Sequence, residues 1–395
     1  MEMAEAVITN EALQRWIERI GVKLRIENIH NRYATPDSIR KFALCIGDPN
    51  PLWIDEEYAE NTAYGRQVAP PSWLYSVFPT WVLQGLPGVH AFHSGNDWRF
   101  YRPVFAGDII TPECIFTGFS VKPSRFAGKT VFEFQRSRFY NQRSELVAET
   151  DLWIIRAERG AARGKGKYSE EAGYKLPIRW TAEEVKKIVE EVLSEEIRGA
   201  NPRYWEDVNI GDIMKLTKGP LSLNDMIAFT VGADPVGVKA FRCVFEEWKK
   251  HPAWYYWDPE AGGIMPIYAV HFTKYAANRA GLPYPYDVGV QRNCFAIQLL
   301  TNWMGDDGWI KTCYLEYRRF FYITEVLWYI GKVVRKFISD DGEYCVDIEI
   351  HAVNQRGEDT AQGYATIALP SRNLPRDEWP SRRRVKSSIG PVLQK

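Results

Sequence analysis

The sequence repeats one order of elements in its two halves, and this duplication limits the possible folds more than any other feature. In the first half a helix ends at Gly47-Asp48-Pro49, a turn-rich loop follows, and an apolar stretch (WLYSVFPTWVLQG) predicts a buried helix before several strands. In the second half a helix ends at Ala233-Asp234-Pro235, and an apolar run from Val290 again predicts a buried helix before several strands. Each half therefore predicts one long helix wrapped by one curved antiparallel sheet.

Two such units side by side can pair their sheets edge to edge, which removes an exposed edge. We therefore predict an α+β fold in which the two halves form a pseudo-dimer within one chain. The predicted parts are an N-terminal unit at 1–158, a linker and connecting helix at 159–200, a C-terminal unit at 201–371 and a basic surface tail at 372–395.

Composition narrows the class of protein. Lys plus Arg and Asp plus Glu both number 50, and this balance argues against nucleic-acid binding. No apolar run reaches the roughly 20 residues that span a bilayer. Six cysteines are scattered without a CxxC pair, which predicts free thiols in the cytoplasm and no metal site. We expect a homo-oligomer, a dimer or larger, because most soluble oligomers pair identical chains.

A histidine and a helix start come together in the second half. His271 precedes a turn-rich segment that ends near Gly289, where the buried helix begins. The first N–H groups of a helix stabilise negative charge, and histidine is the side chain most often used for proton transfer. We predict that His271 is a catalytic base or acid, and that the Gly289 and Val290 amides polarise a carbonyl. The alternative for His271 is a structural histidine.

Two segments carry recognisable motifs, Gly47-Asp48-Pro49-Asn50-Pro51-Leu52-Trp53 and RPVFAGD at 102–108. They resemble the loop G-D-x-N-P-x-H and the strand turn R-P-x-x-x-G-D of the MaoC-like family of hot-dog hydratases and dehydratases, which includes the (R)-specific enoyl-CoA hydratases. GRQVAPPSW in the first half, with HFTKYAANRAGLPYPYDVGVQR and TNWMGDDGW in the second, extends the resemblance over most of residues 10–371. The resemblance implies a double hot-dog fold.

The resemblance also implies an activity. Family members add water to a 2-enoyl thioester or remove it from a 3-hydroxyacyl thioester, usually on coenzyme A. An Asp and a His of one loop hold the water, and helix amides polarise the carbonyl. We therefore expect a hydro-lyase acting on an acyl-CoA, with no metal and no cofactor other than the coenzyme A of the substrate.

Both copies depart from the family loop. The first copy has Asp48 and Asn50 but carries Trp53 at the histidine position, and indole cannot take a proton. The second copy has His271, but Pro266 stands where the Asp is expected. Asp234 follows the preceding helix correctly, with about thirty extra residues before His271, a length typical of a functional loop. We predict Asp234 as the partner of His271, and Asp48 and Asn50 as substrate contacts. Asp48 could instead be catalytic or cap its loop.

Substrate contacts are predicted from the insert and from the helix. The aromatic insert, with Trp257, could line a pocket for a bulky or aromatic acyl group. Gln291 and Arg292 are predicted to contact the acyl group or the coenzyme A phosphates, with a surface salt bridge as the alternative. Two other functions remain open at this point, which are an acyl-CoA thioesterase on the same fold and a non-catalytic acyl-binding subunit of a hydratase complex.

Overall fold

The structure, a computed structural model, describes residues 6–124, 128–158, 173–235 and 237–388. Its helices are α1 (Asn10–Ile17), α2 (Pro36–Cys45), α3 (Pro51–Ile54), α4 (Glu56–Glu60), α5 (Leu74–Val77), α6 (Ala182–Leu193), α7 (Leu223–Ala233), α8 (Arg242–Lys250), α9 (Lys274–Arg279), α10 (Gly289–Met304) and α11 (Pro380–Ser388). Its strands are β1 (Lys23–Leu24), β2 (Val89–Phe100), β3 (Thr111–Ser124), β4 (Gly128–Tyr140), β5 (Leu146–Glu158), β6 (Ile213–Lys218), β7 (Tyr255–Asp258), β8 (Gly263–Pro266), β9 (Trp309–Tyr317), β10 (Leu327–Ile338), β11 (Tyr344–Asn354) and β12 (Asp359–Ala368).

One antiparallel sheet runs through both halves in the order β1-β3-β4-β5-β2-β9-β12-β11-β10-β6. The halves join where Gly95–Arg99 of β2 pairs with Thr312–Glu316 of β9. This pairing removes one edge from each half, as the sequence predicted. The α+β double hot-dog architecture is confirmed. No helix in the described ranges is long and apolar enough to cross a membrane.

The buried helix of the second half forms as predicted. In α10 every residue from Val290 to Met304 is buried, so the helix lies in the core and not on the surface. It ends at Gly305, whose φ of 73° is readily adopted by glycine. A long helix buried on all sides places its N-terminus inside the protein, where charge is weakly screened.

The corresponding helix of the first half is much shorter than predicted. Only a 3-10 turn at Pro71–Trp73 and the four residues of α5 are helical, and the chain becomes extended at Phe78. Pro79 explains the break, because proline lacks the N–H that a helix requires and forces the preceding residue out of the helical region. The prediction of a long buried helix in this half is therefore wrong.

Polar side chains on the sheet replace the hydrogen bonds that this missing helix would have made. Gln135 accepts from the Val82 amide at 2.9 Å and donates to the Val82 carbonyl at 2.8 Å. Arg156 donates to the Leu86 carbonyl at 3.2 Å and pairs with Glu133 at 2.8 Å. Buried backbone groups need such partners. The non-helical segment after Val77 is therefore held in the core by specific hydrogen bonds.

We expect Arg156→Leu to destabilise the protein by about 3–5 kcal/mol, because it leaves a buried charge and several carbonyls without partners. Arg156 and Glu133 have side chains only 2% and 0% exposed. The measurement is the free energy of unfolding in urea. Arg138→Leu is the matched control, because Arg138 pairs with Glu149 on the same sheet but is 32% exposed. The control should lose no more than about 1 kcal/mol. Equal losses in the two variants would contradict the proposed role of Arg156.

The insert of the second half folds as a small unit beside the main core. It contains α8 and the hairpin of β7 and β8. Tyr256 is buried in a cluster with Tyr286 and Tyr322, but Trp257 is 47% exposed. Alternation along β7 turns these neighbouring side chains to opposite faces. Trp257 therefore lies outside the buried cluster of this unit, and the structure gives no support to its prediction as an acyl contact.

The connecting segment at 159–200 and the basic tail at 372–395 both contain a helix. The predicted connecting helix forms as α6, which begins at a capping box in which Thr181 and Glu184 exchange hydrogen bonds. The predicted Gly-rich linker before it falls mainly on residues 159–172, outside the described residues. The tail is not only a surface extension, because it forms α11. That helix is anchored where Arg384 donates to Glu343 at 2.8 Å and Arg143 donates to the Ser388 carbonyl at 2.6 Å.

Candidate active site

Two backbone N–H groups at the start of α10 have no hydrogen-bond acceptor within the helix. The N-cap residue is Val288, whose own amide donates to the Gln291 side chain at 2.8 Å. Within the described part of the chain, no partner is found for the amides of Gly289 and Val290. The first N–H groups of a helix have no intrahelical acceptor. These two amides are therefore free to donate to a negatively charged oxygen, which the role predicted for them requires.

His271 lies beside this helix start. Its Nδ1 is 2.9 Å from the carbonyl oxygen of Tyr286, three residues before Gly289. A carbonyl only accepts, so Nδ1 carries the proton and Nε2 holds the lone pair. The rings of Tyr268 and Tyr286 pack edge-on against the imidazole, with centroids at 4.8 Å and 4.6 Å. The imidazole is thus fixed in a tautomer that can take up a proton at Nε2.

The environment of His271 keeps it neutral. Burial, together with the nearby Arg292 charge, lowers its pKa to about 4. A neutral imidazole can accept a proton at pH 7, which is the state required of a general base.

Asp234 does not form the predicted hydrogen bond with His271. It ends α7 in the left-handed conformation, with φ of 38°, and its Oδ1 accepts from the Val238 amide at 2.9 Å. Its Oδ2 lies 3.7 Å from Nδ1 of His30, which belongs to the other half. The expanded loop explains the separation, because it turns the Asp234 carboxylate toward the other half. No carboxylate among the described residues hydrogen-bonds to His271.

Gln291 and Arg292 support the helix start from inside the protein. Gln291 caps Val288, and Arg292 donates to Asp287 at 2.8 Å and to the Arg319 carbonyl at 2.6 Å. The Arg292 side chain is only 4% exposed, so it forms neither a surface salt bridge nor an accessible phosphate site. The alternative of a surface pair is wrong. The structure gives no support to a phosphate contact at either residue.

Two residues that sequence reasoning missed reach the same helix start. His93 of β2 comes from the first half, and Tyr317 ends β9 of the second half. A Cβ on Gly289 would lie 3.3 Å from the His93 Cβ and 3.4 Å from Cε2 of Tyr317. Their rings pack edge-on, with centroids 5.2 Å apart. No motif marks His93, because only the pairing of the two halves brings it here.

The equivalent loop of the first half is closed. The Trp53 indole donates to Asp48 at 2.9 Å, and Asn50 caps the next turn through the Leu52 amide at 3.0 Å. Asp48 and Asn50 are 1% and 2% exposed, so the structure favours loop caps over substrate contacts. The short helical turn begins with Pro70 and Pro71, which have no N–H to offer.

The space beside Trp53 is also small. A cavity of about 40 Å³ lies between Trp53, Pro71, Leu74 and Trp309. Such a volume has room for about three waters. In the described residues, the loop of the first half therefore offers neither a histidine at the family position nor free amides at the start of its helical turn. The site of interest is the one at α10.

Comparison with known proteins identifies the family. A model of the FAS1-like dehydratase domain region matches residues 26–150. An (R)-specific enoyl-CoA hydratase from Aeromonas caviae is 33% identical over 94 residues, which are 24% of this chain and 67% of that protein. This chain belongs to the MaoC-like hot-dog family. A UPF0336 protein from Streptomyces avermitilis is 34% identical over 19% of this MaoC-like chain, and the match spans 55% of that relative's length.

Solved structures agree with this MaoC-like fold. One described as a MaoC-like dehydratase aligns with a TM-score of 0.60 and 16% identity, covering 89% of this chain and 98% of that one. A Mycobacterium tuberculosis protein with a double hotdog fold aligns at 0.50 and 11% identity, covering 89% and 96%. These identities are low, so the structures support the fold of the MaoC-like chain and not its substrate.

Proposed function

We propose that this MaoC-like protein adds water to the 2,3 double bond of an enoyl-CoA thioester, and removes it in the reverse direction, at the start of α10. The observation that carries the proposal is His271, whose Nδ1 is bonded to the Tyr286 carbonyl three residues before the unpartnered Gly289 amide, which leaves Nε2 to take a proton. A base and a donor pair for a developing negative charge are the two groups that this chemistry requires.

The proposed steps use these groups in order. The water oxygen bonds to the β-carbon while one water proton passes to Nε2 of His271. The electrons of the double bond move toward the thioester carbonyl, whose oxygen becomes enolate-like and accepts from the Gly289 and Val290 amides. The α-carbon then takes the proton from Nε2, which restores the neutral histidine. The sum of the steps is the addition of one water molecule.

A second candidate is a non-catalytic acyl-binding subunit. It is favoured by one observation, which is that no described carboxylate hydrogen-bonds to His271. Without such a partner the imidazolium that forms during turnover is less stable, and the burial that keeps His271 neutral adds to this cost. This function predicts tight binding of acyl-CoA without turnover.

In the test, the purified protein is mixed separately with crotonyl-CoA, octenoyl-CoA and cinnamoyl-CoA. The absorbance of the conjugated thioester and the release of free thiol are measured together. We expect conjugation to disappear from at least one thioester without release of thiol. Release of thiol would assign the protein to the thioesterases. Saturable binding of all three compounds without any reaction would favour the binding subunit and would contradict the proposed hydratase.

A further inference from the structure

His93 reaches the start of α10 because of an irregularity in its strand. The pairing of β2 with β5 shifts register between His93 and Gly95, which marks a β-bulge. Glycine is required there, since a Cβ on Gly95 would lie 2.1 Å from the Trp153 ring and 2.5 Å from the Leu315 carbonyl oxygen. A bulge re-aims the neighbouring side chains. It places His93 of the first half against Gly289 of the second.

The ring nitrogens of His93 are buried and stabilise no other described part of the fold through a hydrogen bond. Neither ring nitrogen of His93 has a partner at hydrogen-bonding geometry in the described structure. The Asn96 side chain and the Gly95 backbone are close enough to act on its pKa, but burial outweighs them and lowers it to about 3. Buried polar atoms are nearly always hydrogen-bonded, so each exception calls for an explanation.

Tyr317 provides an independent observation at the same place. The residue is only 7% exposed, and its hydroxyl is buried with no hydrogen-bond partner in the described residues. Its ring lies under the Arg292 guanidinium at 4.4 Å and beside Gly289 at 3.4 Å. Two unpartnered polar side chains therefore converge on the two unpartnered amides. A polar ligand at this point would satisfy all of them.

We propose that His93 is a second catalytic residue, supplied by the other half of the chain, and that it holds the water or the 3-hydroxyl group whose proton His271 moves. This inference rests on the proposed hydratase function and names the group that takes the place of the missing carboxylate. Tyr317 acts as a positioning residue, because its ring fixes the orientation of the imidazole.

In the proposed reaction His93 only accepts a hydrogen bond. Its neutral imidazole has one nitrogen that accepts a hydrogen bond and one that donates. The accepting nitrogen takes a hydrogen bond from one O–H of the water, which directs a lone pair of the water oxygen at the β-carbon. The other water proton passes to His271 and then to the α-carbon. His93 neither gains nor loses a proton, so the balance of the hydration is unchanged.

The kinetic test compares His93→Ala with His90→Ala, which removes a buried histidine three residues earlier on the same strand. We expect His93→Ala to lower kcat about 100-fold with little change in KM, and added imidazole to restore part of the loss. His90→Ala is the control for damage to the strand and should keep its kcat. Full activity in His93→Ala, or equal losses in both variants without imidazole rescue, would overturn the role of His93.

A binding test separates this inference from the proposed function. Calorimetry compares (R)-3-hydroxybutyryl-CoA with butyryl-CoA, which lacks the hydroxyl. We expect the wild-type protein to prefer the hydroxylated compound about tenfold, and His93→Ala to lose that preference, even if no turnover is found. An unchanged preference in His93→Ala, or no preference in the wild type, would overturn the role of His93. Absence of turnover with the preference intact would overturn only the hydratase function.

Discussion

His271→Ala is expected to lower kcat for hydration by about 100- to 10,000-fold, with a much smaller change in KM. The side chain is held by the Tyr286 carbonyl at 2.9 Å and packs between two tyrosine rings, so it is already aimed when substrate arrives. Its removal takes away the group that carries the proton between water and the α-carbon. Binding depends mainly on other contacts and is retained. Steady-state kinetics on the fastest enoyl-CoA gives both constants.

His30→Ala is the matched control for this prediction. His30 lies 3.7 Å from Asp234, so it is the histidine that the structure places next to the predicted catalytic aspartate. The pair is partly exposed, at 38% and 22% of the two side chains. We expect His30→Ala to keep its activity. If His30→Ala abolished turnover and His271→Ala did not, the acid–base site would lie at Asp234 and not at α10.

Gly289→Pro is expected to lower kcat about 100-fold relative to Gly289→Ala. Both variants add a Cβ that meets His93 at 3.3 Å and Tyr317 at 3.4 Å, so both share the same crowding. Only the proline removes the amide proton. The backbone accommodates proline at this position, because Val288 before it is extended, with φ of −78° and ψ of 123°. The ratio of the two kcat values therefore measures the contribution of the Gly289 N–H group to catalysis.

The stability of the two Gly289 variants is the control for this comparison. Proline is well tolerated in the first turn of a helix, so their urea midpoints should be close. If Gly289→Pro were as active as Gly289→Ala, the Gly289 amide would have no part in catalysis. If both were inactive and unfolded, the added Cβ that they share would be the cause, and the infrared measurement on the wild-type protein would remain as the test of the amides.

The repeat in the sequence was enough to predict the fold. Turn signals and apolar periods recur in both halves, and a curved sheet with an unpaired edge favours a second copy beside it. The position of α10, its first residue and the closeness of His271 follow from local signals. The prediction of a long helix in the first half was wrong for a physical reason. Pro79 breaks a stretch whose composition alone is typical of a buried helix.

The rest of the site depends on contacts that no local pattern encodes. Asp234 was predicted from its position after the preceding helix, but in the structure its carboxylate faces His30 and not His271. Arg292 has the sequence signature of a surface charge, and only the buried carboxylate of Asp287 reveals its place. His93 is distant in sequence from α10 and reaches it through the pairing of β2 with β9. Besides Pro79, polar side chains at inward positions of β4, such as Gln135, were a sign that a long helix is missing.

The measurement that tests the central claim most directly is the carbonyl stretch of bound butyryl-CoA, labelled with ¹³C at the thioester carbonyl and read by infrared difference spectroscopy. This compound cannot react, so the result does not depend on turnover. If the start of α10 polarises the thioester, the stretch should lie at lower frequency than in water, and Gly289→Pro should reverse most of the shift while Gly289→Ala should not. A stretch unchanged from water in the saturated wild-type protein would contradict the assignment of the active site to α10.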